Sequence, residues 1–367
     1  MSFSGSYRAN DVEFLLKPLA LQDFVDVPEK EYLIQSGQRH YSEMLSPESL
    51  PSERYLRVFQ QACADNNGRM ARDCLALAAL IAARRIGPVT LVSLARAGTP
   101  VGVVLHQLLT QVFGRDSTHY SVSIIRDRGI DRVALDHILA RGHAPESIVF
   151  IDGWTGKGVI SRELAATIAD FNAARGCAID GGLYVLSDLA GTAACAASCD
   201  DYLIPSSILN ATVSGLVSRS ILNEQIGPGD FHGCVYYQQF EAQDQSQAFA
   251  DSLVAAALAL AKEVKQQGGQ LDAIPVDKAQ AGAVSRAYMQ AALAQHGISD
   301  VNMIKPGIGE ATRVLLRRSP RLLILRDAAA PEVAHLALLA QEKNIPVIVD
   351  ATLPYHAVSL IRSALDG

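Results

Sequence analysis

The chain has 367 residues, of which 49% are hydrophobic and 19% charged, and its formal net charge is −6. This balance excludes a disordered chain and argues against broad nonspecific nucleic-acid binding, while the length predicts two or three domains. The longest central apolar run, residues 253–261, is too short to cross a bilayer, and the N-terminus carries no apolar signal segment, so we expect a cytoplasmic protein without a membrane partner.

The chain changes character along its length. Residues 1–68 are mixed and proline-bearing, which predicts an N-terminal extension packed on the core. Between residues 69 and 265 short apolar runs alternate with helical patterns, which favours a parallel sheet covered by helices. The predicted strands are residues 90–94, 122–125, 148–152 and 182–186, and the predicted helices are 72–83, 133–139, 159–174 and 249–264. Residues 208–222 carry small polar side chains at helical spacing, which predicts a buried helix that uses them for packing or for contacts with an acceptor.

Residues 148–164 read IVFIDGWTGKGVISREL, which predicts a buried strand, a glycine-rich turn and a helix. Unpaired N–H groups at such a turn form an anion site, and glycine lets the backbone approach a phosphate closely. The turn lacks the upstream glycine and the hydroxyl residue after the lysine that a P-loop requires. The competing interpretation is an ordinary strand–helix turn whose glycine and threonine only cap the helix.

The acid and the T-G-K run at residues 152–157 resemble the 5-phosphoribosyl 1-diphosphate (PRPP) loop of type I phosphoribosyltransferases. The segment LARAGTPVG at residues 94–102 resembles the diphosphate loop of the same family, in the order that the family requires. The resemblance implies a phosphoribosyltransferase-like parallel-sheet core. It also implies transfer of ribose 5-phosphate from PRPP, with Mg²⁺, to an unknown nitrogen acceptor (a base, a nucleotide-like metabolite or RNA) and release of diphosphate.

The same resemblance assigns roles to single residues. The implied PRPP contacts lie in the two loops: Arg96, Ala97, Gly98, Asp152, Thr155, Gly156, Lys157 and Gly158. Asp152 would bind the ribose hydroxyls and the metal, although the second acid that many members carry is replaced by glycine. Arg126 or Arg128 would close over the leaving diphosphate as a catalytic group, unless their segment is only a solvated charged loop. The resemblance assigns no acceptor contacts; Asn210 and Arg219 in residues 208–222 are candidates for them from their position alone, unless that segment is only a buried helix.

A glycine-rich break near residue 268 precedes a predicted C-terminal domain, residues 271–367. The segment KPGIGEATRVLLRRSPRLLILR from residue 305, followed by EVAHLALLAQEKNIPVIV, resembles the small α/β RNA-binding domain of the L7Ae and Pelota type. Strands at residues 322–325 and 347–349 with a helix at 331–342 agree with that fold. The implied RNA contacts are Gly307, Gly309, Glu310, Thr312 and Arg313. The alternative is a scaffold or dimerisation domain whose arginines form a solvated face, and a homo-oligomer is one expectation for the chain.

Together the two resemblances are similar to predicted phosphoribosyltransferases of bacterial stress and tellurite-resistance gene clusters. Two alternatives stay open: a noncatalytic RNA- or nucleotide-binding protein, favoured by the missing second acid, and a cysteine hydrolase. The six cysteines are scattered and expected to stay reduced, and Cys195 and Cys199 lack the second ligand pair of a structural zinc site. A cysteine hydrolase needs a thiol paired with a histidine, and no histidine adjoins a recognisable cysteine signature, so this is the minor alternative.

Overall fold

A computed structural model describes residues 3–20, 24–269, 276–318 and 320–362, apart from the side chains at positions 27, 31 and 317. Its helices and strands divide into a large N-terminal α/β unit and a smaller C-terminal one. None of the helices in the described ranges has the length and apolar character that crossing a membrane requires.

The elements alternate along the chain as the sequence predicts for an α/β protein. The strands are β1 (Glu13–Leu15), β2 (Lys17–Pro18), β3 (Val89–Ala95), β4 (Ser117–Ile125), β5 (Gly129–Ile130), β6 (Ile148–Thr155), β7 (Leu183–Asp188), β8 (Cys195–Ser198), β9 (Gly233–Cys234), β10 (Ile304–Pro306), β11 (Pro320–Leu325), β12 (Val347–Val349) and β13 (Ala357–Ile361). The helices are α1 (Val27–Gln35), α2 (Glu53–Arg84), α3 (Thr99–Gln111), α4 (Arg132–Ala140), α5 (Val159–Arg175), α6 (Ser246–Gln266), α7 (Lys278–His296), α8 (Ile308–Arg317) and α9 (Ala334–Glu342).

The large sheet has the order β1-β4-β3-β6-β7-β8 with parallel neighbours throughout, and β5 adds antiparallel to β4. Both of its faces are covered. Leu91 and Val149 face the core shared with α2, α3 and α6, whereas Val92 and Phe150 face the core shared with α4 and α5. Burial on both faces explains why these strands read as unbroken apolar runs.

Helix α2 is much longer than the predicted helix at residues 72–83. It begins at Glu53, inside the predicted N-terminal extension, where the Ser52 hydroxyl accepts a hydrogen bond from the Tyr55 N–H. The polar run at residues 65–69 interrupts the apolar pattern, so the sequence reveals only the second half of the helix. The same extension supplies β1, which pairs with β4 at the edge of the large sheet.

The prediction of a helix at residues 208–222 is wrong. The structure has a single 3₁₀ turn, Ala211–Val213, followed by positive φ angles of +79° at Gly215 and +58° at Leu216. A right-handed helix cannot continue through such angles. Beyond them the chain forms isolated bridges, Val217 with Tyr236 and Ile221 with Gly233.

The C-terminal unit has a four-stranded sheet of order β10-β13-β11-β12, in which only the β11–β12 pair is parallel. The predicted strands at residues 322–325 and 347–349 are confirmed as β11 and β12. Helix α9 begins at Ala334, after a 3₁₀ turn at Pro331–Val333. An α/β fold with a large parallel sheet and a smaller C-terminal domain is therefore confirmed, whereas a phosphoribosyltransferase-like identity of the core is not.

Candidate active site

The two glycine-bearing loops meet at the carboxyl edge of the large sheet, where β3 and β6 end. A Cβ atom at Gly98 would lie 2.5 Å from the carbonyl oxygen of Ile151. Gly158 has a φ of +71°, and a Cβ atom there would collide with the side chain of Thr192. Both positions therefore require glycine for close packing, independently of any ligand.

Arg96 is engaged by protein groups on several sides. Its Nη1 lies 2.6 Å from Glu48 Oε1 and donates a hydrogen bond of 2.8 Å to the carbonyl oxygen of Val217. Its Nη2 donates to Asn210 Oδ1 at 3.1 Å. The structure thus brings two predicted site residues, Arg96 and Asn210, together as partners of each other.

The other predicted arginines hold the N-terminal segment at residues 40–44 against the sheet. Arg219 Nη2 donates to the carbonyl oxygen of Tyr41 at 2.6 Å, and burial lowers the Arg219 pKa to about 10. The Arg126 N–H donates to the Tyr41 hydroxyl at 2.7 Å. Arg128 forms an ion pair with Glu43. These contacts give a structural role to a segment whose function the sequence does not indicate.

Asp152 lies inside β6, which runs on to Thr155, and not at the end of the strand as predicted. Its Oδ1 accepts a hydrogen bond of 2.8 Å from the N–H of Gly153, and burial raises its pKa to about 6. Lys157 Nζ donates to the carbonyl oxygen of Val301 at 2.9 Å. Burial lowers the Lys157 pKa to about 7. The loop thus contacts the C-terminal domain directly.

That contact continues along helix α8. The guanidinium carbon of Arg313 lies 4.3 Å from the ring centroid of Trp154, which is the only tryptophan in the chain. A Cβ atom at Gly309 would lie 3.2 Å from the same indole ring, and one at Gly156 would lie 3.3 Å from Glu310 Cγ. Gly156, predicted to bind PRPP, therefore faces Glu310, predicted to bind RNA, across a closed interface. This interface is called the Trp154–Arg313 contact below.

The remaining predicted RNA residues are also covered. A Cβ atom at Gly307, whose φ is +88°, would collide with Leu189 of the large domain. The Thr312 side chain is buried and donates a hydrogen bond of 2.7 Å to the carbonyl oxygen of Ile308. In this arrangement the first turns of α8 face protein and not solvent.

The magnesium ion predicted at Asp152 depends on bound PRPP. Across the described ranges, no three His, Cys, Asp or Glu side chains converge in a way that would hold a metal ion. Asp152 itself offers a buried carboxylate whose Oδ1 already accepts a hydrogen bond. Magnesium ligation by Asp152 stays a prediction that no observation supports.

All six cysteines are free thiols, and Cys74, Cys195 and Cys234 are buried. Burial raises the pKa of Cys63 and of Cys234 to about 12. The Cys195 sulfur accepts a hydrogen bond of 2.7 Å from Arg84 Nη1. Among the described residues no hydrogen bond joins a cysteine sulfur to a histidine ring.

A cavity of about 710 Å³, here called the interdomain cleft, lies between α2, the end of β8 and the C-terminal domain. Its lining includes Arg69, Asp73, Cys199, Asp200, Asp201 and Tyr355. Cys199 directly follows β8 and is half-buried. Burial and the carboxylates of Asp188 and Asp200 raise the Cys199 pKa to about 11, so its thiol is protonated at neutral pH.

His356 of the C-terminal domain stands beside the interdomain cleft. Its backbone N–H donates a hydrogen bond of 2.8 Å to Asp201 Oδ2, and Arg326 Nη2 lies 2.8 Å from the Nε2 of its imidazole ring. Burial and the Arg326 guanidinium lower the pKa of the imidazole, which is therefore neutral at pH 7. The charges of Asp200 and Arg69, which line the cleft, also influence this pKa.

Comparison with known proteins identifies two families. Residues 5–254 match the family described as tellurite-like stress resistance cysteine protease StiP, and residues 283–363 match the PELOTA RNA binding domain. The cysteine protease StiP of Acinetobacter baylyi (strain ATCC 33305 / BD413 / ADP1) is 42% identical over 377 aligned residues, which cover 100% of this chain and 96% of that protein.

These matches overturn the predicted function. The phosphoribosyltransferase reaction with PRPP as donor, the leading interpretation of the sequence, is wrong, because the matching family is one of cysteine proteases. The matches agree with the minor alternative, a cysteine hydrolase, and not with the noncatalytic alternative. The two short motifs specify strand–turn–helix junctions whose glycines are needed for packing, and junctions of this kind do not determine a reaction. The predicted stress and tellurite-resistance association and the Pelota-like domain agree with the matches. The chain belongs to the StiP family of tellurite-like stress resistance cysteine proteases.

Proposed function

We propose that this chain hydrolyses peptide bonds with a cysteine nucleophile. The observation that carries the proposal is the match to a named cysteine protease along the whole chain, the C-terminal domain included. A thiol protease needs a sulfur that substrate can reach and an imidazole that can take its proton. Both requirements can be compared with the six cysteines and their surroundings.

Cys199 meets the first requirement best. It is half-buried and opens onto the interdomain cleft, whereas Cys74, Cys195 and Cys234 are buried. It also follows the carboxyl end of a parallel strand, the position at which α/β sheets usually present their functional groups. The sequence offers Cys199 only as one half of a C-x-x-x-C pair, a pattern that is more typical of a metal site than of a catalytic nucleophile.

His356 is our candidate for the base. Its neutral imidazole can accept a proton at pH 7, and the hydrogen bond from its backbone N–H to Asp201 ties the residue to the segment that follows Cys199. The resting thiol has a raised pKa, so a base is needed to produce the thiolate. Catalytic hydrogen bonds often form only in the substrate complex, so the lack of one in the free protein is compatible with this role.

The proposed reaction follows the usual acyl transfer in two halves. The Cys199 sulfur attacks the peptide carbonyl carbon while the imidazole takes the thiol proton, and the imidazolium then protonates the departing amine. The resulting thioester is attacked by water, whose proton passes to the same imidazole. Release of the carboxylate product restores the thiol.

The test is hydrolysis of fluorescently labelled casein by wild type and by cysteine variants. Cys199→Ala should abolish turnover, and iodoacetamide should inactivate the wild type with carboxamidomethylation of Cys199. Cys63→Ala is the matched control, because Cys63 is also half-buried but does not line the cleft. Full activity in Cys199→Ala would contradict the assignment. If Cys234→Ala is inactive instead, the nucleophile is Cys234, with His232 two residues before it as the nearest imidazole in sequence.

RNA binding is the second function that we propose, and it rests on the match of residues 283–363 to the PELOTA RNA binding domain. Contacts through Gly307, Gly309, Glu310, Thr312 and Arg313 require the Trp154–Arg313 contact to open. Arg318 and Arg321 are exposed and can contact phosphate without any rearrangement. Filter binding at increasing salt should give a weaker salt dependence for Arg321→Ala, since each lost phosphate contact lowers the slope. Homo-oligomer formation stays a prediction.

A further inference from the structure

One carboxylate in the interdomain cleft forms no ion pair and no hydrogen bond of normal length among the described residues. Asp73 lies on α2, is only 9% exposed and contributes to the cleft lining. Its Oδ2 is buried without a hydrogen-bond partner among the described residues. The Tyr202 hydroxyl faces this carboxylate and lowers its pKa as a donor, but no hydrogen bond of normal length joins the two groups among the described residues. A buried carboxylate is costly unless it is paired, so an orphaned one in a cavity marks a place for a donor.

The other acids that line the cleft are already occupied. Asp200 pairs with Arg69 at 2.5 Å, and that guanidinium also stacks on the Tyr202 ring at 4.2 Å. The Asp201 carboxylate accepts the N–H groups of Ile308 and His356, each at 2.8 Å.

Asp277 caps helix α7 by accepting the Gln280 N–H at 2.9 Å. Asp73 is thus the lining carboxylate that is free to bind a ligand. Carboxylates outnumber guanidinium groups in the lining, with Asp73, Asp200, Asp201 and Asp277 against Arg69 and Arg72.

We propose that Asp73 binds the basic side chain of a substrate residue, arginine or lysine, next to the peptide bond that Cys199 cleaves. The inference deepens the proposed proteolysis and rests on it. Arg69 and Arg72 act on the Asp73 carboxylate only from a distance, and a guanidinium or ammonium group of the substrate would supply the N–H donors in direct contact that it lacks. The cleft volume, about 710 Å³, lies within the range of sites that accept small ligands and side chains.

The proposal also assigns a function to each side of the interdomain cleft, with the substrate side chain at α2 and the scissile bond near Cys199. Asp73 belongs to α2, while Cys199 and Asp200 belong to the segment after β8 and His356 belongs to the C-terminal domain. A peptide held by its basic side chain at α2 would present its backbone toward the thiol between the two domains. Arg72 is exposed at the rim and does not occupy the Asp73 carboxylate through any ion pair in the described ranges.

The experiment compares three fluorogenic peptides that differ only at the residue before the scissile bond: arginine, norleucine or glutamate. We expect kcat/KM to be at least tenfold higher for the arginine peptide than for norleucine, and lowest for glutamate. Asp73→Asn should lower the arginine-to-norleucine ratio at least tenfold. Asp65→Asn, on the same helix but exposed and hydrogen-bonded to Gln61, is the control that keeps the ratio.

The outcomes separate the two proposals. If the wild type cleaves all three peptides equally, the inference about Asp73 is overturned and proteolysis stands. If it cleaves neither the peptides nor casein, the proposed protease function fails. Calorimetric binding of the arginine peptide to Cys199→Ala then decides about Asp73 without turnover, since the double variant Cys199→Ala/Asp73→Asn should bind at least tenfold more weakly. Equal binding by the two proteins would overturn the inference.

Discussion

Two of the regions in which the large and small domains meet differ in the groups that they leave open to a ligand. At the Trp154–Arg313 contact a guanidinium covers the indole ring and a lysine donates to a carbonyl oxygen, so protein groups fill the space, although Arg313 Nε is buried without a hydrogen-bond partner in the described ranges. The interdomain cleft instead contains the Asp73 carboxylate and the Cys199 thiol, and Asp73 Oδ2 makes no hydrogen bond of normal length among the described residues. The motif that resembles a ligand loop is thus occupied by the protein itself, whereas the region without a recognisable motif has polar groups to offer a ligand.

The largest expected effect tests whether the cleft is catalytic. His356→Gln should lower kcat on casein roughly 10³-fold, because the raised pKa of Cys199 leaves little thiolate without a base. His296→Gln is the control, since His296 lies in the same domain but lines a different cavity, with Gly297, Arg321 and Arg362. Activity should be measured between pH 5 and 9. A variant that keeps the wild-type rate would remove His356 from the mechanism.

The next effect concerns Asp201, whose carboxylate accepts two backbone N–H groups of the C-terminal domain. Asp201→Ala leaves the N–H groups of Ile308 and His356 without acceptors and should lower the free energy of unfolding by about 3 kcal/mol. Asp200→Ala is the neighbouring control, because its ion pair with Arg69 is exposed and worth about 1 kcal/mol or less. Urea denaturation measures both. Equal losses would mean that Asp201 does not hold the domains together.

A third prediction uses the unpaired state of Asp73. Burial raises its pKa to about 6, above the usual value of 3.8, so the folded state disfavours the ionised form. Its contribution therefore favours folding below about pH 4 and is lost as the pH rises through 6. Asp73→Asn should stabilise the protein at pH 7 by roughly 2 kcal/mol and have little effect at pH 4.

Thermal unfolding at the two pH values checks this prediction, with Asp65→Asn as the exposed control on the same helix. Destabilisation of Asp73→Asn at pH 7 would show that the carboxylate is already compensated inside the protein. The same result would weaken the argument that it waits for a basic side chain.

The sequence predicted those parts of the fold whose burial is uniform. Strands β3 and β6 are buried on both faces, so their residues form unbroken apolar runs that predict strands from the sequence alone. The helix predicted at residues 208–222 is absent, because Gly215 and Leu216 adopt positive φ angles although the small polar residues have helical spacing. Apolar periodicity reports burial, and it does not report such local dihedral angles.

The candidate site was less predictable, because its parts come together only in the folded chain. Cys199 directly follows β8, Asp73 lies on α2 and His356 lies in the C-terminal domain, and no short motif links the three. The glycines at residues 98 and 158 suggested loops that bind an anion. In the structure these positions require glycine because the backbone there lies against Ile151 and Thr192. A glycine pattern indicates that another group lies close to the backbone, but it does not distinguish a ligand from the protein's own atoms.

The smallest effect probes the Trp154–Arg313 contact. Arg313→Ala removes the cation–π pair, worth about 1 kcal/mol, and should shift the emission of the single tryptophan to longer wavelength as the ring gains exposure. Arg321→Ala, on the exposed part of β11, should leave the emission unchanged. Added RNA should produce the Arg313→Ala shift in the wild type if it binds the first turns of α8, because those turns cannot contact RNA and Trp154 together. RNA binding without any shift would instead locate RNA on the exposed arginines, and the Trp154–Arg313 contact would then be a fixed part of the structure.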